Sequence, residues 1–503
     1  MIPFKNIPQN IRVPLFYAEV NNSQANTATA PQVGLIIGQM LGSGTATPGV
    51  PVLSQGVAAD TLAFGAGSMA ALMIEAWRAN DNFGQLWVLP LADDGAAVAA
   101  TGKISFTGPA TAAGTLSFYI GGVVVETLVT AGMTAAQLAT ALNTVINANA
   151  NLPVTSIVNG VSNFEVDLTA KNKGPGGNEI DLRLNYQGTA GGEATPAGIV
   201  PTITAMASGA TPPSLTTPFA NCHEQPFDFI AFPYTDTTSL NAIQSFLNDQ
   251  TGRWSWDVQV YGGAFAAYRG TLGAIQTFGV ARNDPHMSIM GFNDSPSPAW
   301  IWAAAYAATC AVALQADPAR PLHTLSIAGV LAPPLVSRFA LSDRNTLLFS
   351  GIATFTVDPD GTVRIEGDIT TYQLNSAGAA DNSFLKINTL YNLALILRTL
   401  KSIVTSKYAR MKLAADGTRF AAGSAIVTPT IIKADIIANY RELEYNGNVQ
   451  GGDAFKAGLI VEINATNPNR VDVLWPGILI GQLDIFALLA QFRLIVPSTP
   501  SAS

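Results

Sequence analysis

The sequence predicts an α/β (α+β) core with a mostly parallel sheet and flanking helices, an inserted β-rich domain, and extended N- and C-terminal strand arms. Three observations predict it. Short apolar runs alternate with amphipathic helical stretches over residues 32–92 and again over 213–350, the pattern of a parallel sheet covered on both faces. Residues 93–212 change composition, with only Lys103, Lys171, Lys173 and Arg183 as basic residues among many Gly, Ala, Thr and Val. Outside this body, both ends carry β-prone segments with no evident partner in the chain.

Residues 1–31 read as an arm and linker. The stretch 13–20 (VPLFYAEV) holds Val13, Leu15, Phe16 and Tyr17, and Pro14 confines it to an edge or strand end. The polar run NNSQANTATAP after it has nothing to bury and reads as a tether. Such a strand can fold back on its own body or reach a neighbour, and composition leaves both open. In 32–92, VGLIIGQM and LWVLPLA are buried strands. Between them Ser68 caps a helix whose Met69, Leu72, Met73, Ala76 and Trp77 form one apolar face.

The insert, 93–212, reads as strands KISFTG, TLSFYIGG and VVVETLV, a helix over 134–147, strands FEVDLTA and NEIDLRLNYQ, and a Gly/Pro/Thr-rich exit loop. The core resumes with strand FDFIAFP, a helix over 239–248, strand WDVQVYGG, a helix from near Thr271 and strand MSIMGF. The uncharged run Ala299–Ala316 is long enough to span a bilayer. It is mostly alanine, lacks a basic flank and stops at Asp317-Pro318, so a buried core helix and no membrane insertion are expected. Residues 351–480 form a C-terminal α+β domain: a hairpin about Asp358-Pro359-Asp360-Gly361, helices over 384–411 and 428–445, and strands GLIVEIN and RVDVLWPG. Residues 481–503 are a second arm and tail, with Ile485, Phe486, Leu488, Phe492 and Leu494 in a β-prone run.

Composition excludes several function classes. Charged residues are 12% of the 503, about half the usual share, and 26 Lys+Arg against 34 Asp+Glu leave a net charge of −8. Affinity by phosphate neutralisation needs clustered bases, so no direct nucleic-acid contact is expected. A hydrophobic content of 48% argues against a disordered chain. A surface so poor in charge fits one that lies against other subunits. Two cysteines, Cys222 and Cys310, make no disulfide framework and point to a reducing compartment. Pro3, Pro8 and Pro14, with no apolar run after Lys5, argue against a signal peptide.

Chemistry-bearing motifs are sparse. The Gly34–Gly44 glycine run lacks the Gly-Lys-Ser/Thr of a phosphate loop and does not match G-x-G-x-x-G; it reads as a flexible loop. No G-x-S-x-G elbow occurs. Cys222-His223-Glu224 are adjacent, and adjacent side chains seldom face one another. His286 and His323 stand alone. Asp358-Pro-Asp-Gly lacks the calcium-loop glutamate, position 367 being Gly. No catalytic residue, metal ligand or cofactor is therefore assigned. One charge reversal stands out: over 381–420, Lys386, Arg398, Lys401, Lys407, Arg410, Lys412 and Arg419 face only Asp381 and Asp416. It reads as a solvated helix face or as a docking face for an acidic protein.

The stretches IPQNIRVPLFYAE (7–19), NSQAN (22–26), GTL (114–116), KGPGGNEI (173–180), NPNRVDVL (467–474), Gln482-Leu483 and QFRL (491–494) resemble the Mu-like contractile tail sheath proteins of bacteriophages, and the resemblance runs along essentially the whole chain. It implies a structural subunit and no enzyme: a homo-oligomer, a helical polymer of hexameric rings, stacked around a tail tube protein. Baseplate and tail terminator proteins are the further partners. The virion tail is the location, after assembly in the host bacterial cytoplasm, and contraction drives the tube through the host envelope. It also implies that Val13, Leu15, Phe16, Tyr17 and Ile485, Phe486, Leu488, Phe492, Leu494 add strands to neighbouring subunits, and that the insert stands outside. Lys401, Lys407, Arg410 and Lys412 are the candidates to face the tube. The rival readings are a sheath subunit of a related injection or secretion system, and an α/β enzyme using Cys222 or an acidic pair, which needs a concave pocket with perturbed titrating groups.

Overall fold

The computed structural model of the chain describes residues 32–494. At its centre is a six-stranded sheet in the order Met287–Phe292, Gly263–Arg269, Phe229–Ala231, Gly34–Gln39, Leu86–Leu91, Val52–Leu53. The first five are parallel and only the short Val52–Leu53 edge runs antiparallel. Numbered along the chain, the parallel strands run 2-1-3-4-5, a doubly wound order. Their residues are almost wholly buried, as strands covered on both faces must be.

Local signals explain most element ends. Ser68 Oγ accepts from Ala71 N and starts the helix Met69–Arg78; Asp236 and Thr271 cap Thr237–Leu247 and Leu272–Val280 in the same way. Glycines in the first strand serve packing. A Cβ on Gly34 would sit 2.4 Å from the Trp77 ring, and one on Gly38 would sit 3.0 Å from the Ala70 backbone. The expected flexible glycine loop is thus partly a buried strand, Gly34–Gln39, held flush against its following helix.

The run Ala299–Ala316 is a helix, and 72% of it is buried. It packs across Gly263–Arg269 and Phe229–Ala231 and against Met69–Arg78. A helix apolar all round needs such cover. Alanine keeps the approach close, while Trp302 stacks on Phe292 at 4.8 Å and donates to Ser295 Oγ at 3.0 Å.

The insert contains two antiparallel sheets. One has the order Val200–Ala207, Thr101–Thr107, Glu165–Ala170, Val154–Val158; the other Val123–Val129, Gly114–Ile120, Leu182–Leu184. The helix Ala135–Ala148 starts on a Thr134–Gln137 capping box. Its core residues, among them Ile104, Phe118 and Leu142, are continuous with those of the central sheet.

Four expectations need correction. The exit loop contains the edge strand Val200–Ala207, whose Val, Thr and Ile are strand formers. NEIDLRLNYQ supplies only Leu182–Leu184, because Pro175–Glu179 is a tight 3₁₀ turn. WDVQVYGG is irregular and the strand is Gly263–Arg269; the preceding loop instead folds around buried Arg253, with Val260 N donating to Arg253 O. The helix expected over 384–411 is Ile387–Ile403, followed by a π turn at Val404–Tyr408.

A second, smaller core lies in the C-terminal part. Tyr440 stacks on Phe455 at 3.7 Å beside Trp475, with Ile396, Ile432, Ile436 and Leu443 around them. The helix Ile387–Ile403 joins both cores, since Ile387, Leu390 and Tyr391 belong to the first and Ile396 to the second.

Candidate assembly surfaces

In a doubly wound sheet the place for a ligand is the crevice at the carboxyl ends of the strands where the order reverses, here between Gly34–Gln39 and Phe229–Ala231. The insert fills it. Gln39 Nε2 donates to Asp93 Oδ1 and to Lys173 O, both at 2.7 Å. Asn172 Nδ2 donates to Met40 O at 3.0 Å, and Asn172 Oδ1 accepts from Met69 N at 2.9 Å. The first amide of the helix after the first strand, the donor that a nucleotide phosphate would use, is therefore satisfied by an amide side chain of the same chain. Trp300 Nε1 closes the other side on Gly176 O at 3.3 Å. These residues lie in and beside the run KGPGGNEI; an Asn-Lys-Gly-Pro-Gly-Gly stretch between two strands was the available signal of a chain segment packed close against another.

The candidate catalytic groups are scattered. Cys222 is buried, its thiol pushed up to about 11 by burial, and its Sγ donates to Pro218 O. Cys310 is sealed in the alanine-rich helix, its thiol also raised by burial. His286 packs beside Asp284 and the Trp254 ring, and His323 lies 3.9 Å from Asp484. The Asp358–Gly361 stretch is the turn of the Thr354–Val357/Val363–Gly367 hairpin. Two concavities of about 290 and 530 Å³ are lined by neither cysteine, histidine nor carboxylate.

The exposed features are of another kind. Residues 481–494 have no regular secondary structure, and Leu483, Ile485, Phe486, Leu488, Leu489, Phe492 and Leu494 are 72–92% exposed. Scattered exposed leucines are ordinary, but seven large apolar side chains in twelve residues are not. A second open feature is the hairpin Ile460–Ile463 with Val471–Leu474. It is a two-stranded sheet whose outer edges pair with no strand among the described residues, and Ile460, Val473 and Leu474 are exposed. Two strands alone are marginal in water. Val13, Leu15, Phe16 and Tyr17 lie outside the described residues.

The basic stretch is split by its contacts. Arg398 and Lys386 turn inward, Arg398 to buried Asp228 and Lys386 to buried Asp368 at 3.4 Å. Lys401, Arg410 and Lys412 are exposed and make no ion pair among the described residues; Lys407, also exposed, pairs with Asp435 at 3.3 Å. Lys401, Lys407, Arg410 and Lys412 thus share one exposed stretch at and beyond the end of Ile387–Ile403.

Two family descriptions match in succession, the phage tail sheath protein central domain over residues 208–371 and the phage tail sheath C-terminal domain over 379–493. The Mu-like prophage FluMu tail sheath protein of Haemophilus influenzae is 40% identical over 495 residues, 98% of this chain and all of that one. The chain belongs to the Mu-like phage tail sheath family. Among solved structures, the sheath tail protein of Desulfitobacterium hafniense aligns with a TM-score of 0.48 at 12% identity, over 94% of this chain and 97% of its own. The anti-feeding prophage helical sheath in its contracted state aligns with a TM-score of 0.43 at 10% identity, over 96% and 100%. Members of the tail sheath family are structural proteins, not enzymes, which agrees with a switch-point crevice packed by the chain's own insert.

Proposed function

We propose that this chain is the structural subunit of a contractile phage tail sheath. It polymerises as stacked six-fold rings around the tail tube in the virion tail, after assembly in the host cytoplasm, between a baseplate and a tail terminator. The exposed apolar run 483–494, in a chain of the tail sheath family, carries this reading. Burying each of its large side chains is worth about 1.5–3 kcal/mol and each new backbone hydrogen bond about 1 kcal/mol, against about 1–2 kcal/mol per residue ordered. A joint of that kind is modest singly and durable when each subunit makes several.

The arms at both ends add strands to open sheet edges of neighbouring subunits, where main chain supplies affinity and side chains set register. The hairpin Ile460–Ile463/Val471–Leu474 supports this as an acceptor, because both its edges are open in the single subunit. A head-to-tail exchange that does not close yields a helix of subunits. Contraction is then a repacking of rigid cores into a shorter, wider lattice while the arms stay joined, and Lys401, Lys407, Arg410 and Lys412 hold an acidic tube surface until it occurs. Negative-stain microscopy of the purified chain, alone and co-expressed with its tube protein, tests the reading. Tubes or stacked rings are expected; dispersed particles under both conditions overturn it.

A further inference from the structure

Two buried carboxylates stand where the chain enters and leaves its body, and one helix touches both. At the entry, Val33 opens the central sheet. Its N–H donates to Asp228 Oδ2 at 2.7 Å, and its carbonyl accepts from Asp228 N at 2.8 Å. The other Asp228 oxygen accepts from Arg398, whose guanidinium also donates to Tyr261 O at 2.9 Å. Tyr391, seven residues before Arg398 and so on the same helix face, donates to Asp228 O at 2.7 Å and stacks on Phe229.

At the exit, the exposed C-terminal run is held at its root. Gln482 Nε2 donates to Ala319 O at 3.3 Å, and Asp484 lies 3.2 Å from Lys386 Nζ and 3.9 Å from His323. Lys386 in turn reaches Asp368 at 3.4 Å, a carboxylate with no solvent exposure. The backbone is fixed there too, since Ile387 N donates to Asp368 O and Thr370 N to Leu385 O. Lys386 is the cap residue of Ile387–Ile403 and Arg398 lies inside it, so about 18 Å of continuous helix separates the two clasps.

We infer that the helix Ile387–Ile403 is a strut that ties both chain ends to one rigid element, through Arg398–Asp228 at the N-terminal root and Lys386–Asp484 at the C-terminal root. The inference rests on the reading of the two ends as inter-subunit arms. Tension on one arm is passed along the helix to the other instead of being absorbed in the central sheet, so a pull from one neighbour reaches the next without deforming the core. A salt bridge to an arm root has a purpose under load that it lacks in an isolated subunit, where a partly exposed pair contributes little.

The test is a double-mutant cycle on full-length chain co-assembled with tube protein, reading the temperature at which half of the extended complexes shorten. Asp484→Asn and Arg398→Gln are each expected to lower that midpoint by several degrees, and the double variant to fall no further than the weaker single variant, because one break interrupts the whole path. Additive falls, or unchanged midpoints in the single variants, overturn the strut. If Arg398→Gln does not fold, Arg398→Lys, which keeps the charge and loses the guanidinium geometry, takes its place in the cycle. Tubes that form normally without residues 482–503 would instead overturn the arm reading itself, a separate outcome from failure of the cycle.

Discussion

The helix Ala299–Ala316 and the run 483–494 are both rich in apolar residues, and the structure treats them in opposite ways. Trp302, Tyr306 and Cys310 have no solvent exposure, while Ile485, Phe486 and Leu494 are nearly bare. The difference is in the backbone. A helix pairs its own amides and asks only for side-chain cover, which the sheet beneath it supplies. An extended run leaves every amide to be paired by another strand, and no strand among the described residues offers itself. Apolar content alone therefore does not separate core from interface; the missing hydrogen-bond partner does.

Truncation breaks that comparison most sharply. Removing residues 482–503 is expected to abolish tube formation in negative stain while the subunit's thermal midpoint stays within about 1 kcal/mol, since only the root contacts at Gln482 and Asp484 are lost. The opposite cut is Trp302→Ala. It removes a fully buried indole and its bond to Ser295, and is expected to cost about 3–5 kcal/mol in urea unfolding, with assembly lost only as a consequence. An assembly defect without destabilisation in Trp302→Ala would mean that the helix is an interface and not core.

How far the sequence carried this reading differs by region, for the same reason. The central strands were legible because a wholly apolar six-residue run between caps has few alternatives, as at Gly34–Gln39 and Met287–Phe292. The strand Val200–Ala207 was hidden by flanking Gly and Pro. The loop before Gly263 looked like a strand because its Trp, Val and Tyr are β-prone, and only the tertiary pull of buried Arg253 decides otherwise. The plug of the switch-point crevice was not legible, since Asn172 and Gln39 are 133 positions apart and meet only through the topology. The basic stretch was legible as charge but not as direction: Lys386 and Arg398 turn inward while Lys401, Arg410 and Lys412 do not.

That division of the basic residues gives a narrower test. Reversing Lys401, Lys407, Arg410 and Lys412 together to Glu is expected to weaken sheath–tube co-assembly, more at low salt than at high, while unfolding shifts by only about 0.5 kcal/mol, because only Lys407 has an ion-pair partner to lose. Normal extended tails from the quadruple variant would refute the assignment of this face to the tube.

The smallest effect compares buried with exposed carboxylates. Burial raises Asp228 and Asp368 above the ordinary aspartate range, against the pull of Arg398 and Lys386. Hydrogen bonds hold the exposed carboxylates of Asp381, Asp416 and Asp472 below it. The signs differ accordingly. A carboxyl raised in the folded state takes up its proton there first, so its contribution to stability is present below the unfolded value of about 4 and is lost as pH rises through the folded value. The lowered groups contribute above that unfolded value and lose their contribution as pH falls through their own folded values. Between neutrality and about pH 4, acidification should therefore favour the fold through Asp228 and Asp368 before the surface aspartates begin to oppose it. In Asp368→Asn one of the two raised groups is gone, so the urea midpoint should change less over this window than in the unmodified chain. Parallel profiles for the two proteins would mean that Asp368 is ionised in the folded subunit throughout, its charge matched by Lys386 as fully as water matches it in the unfolded chain.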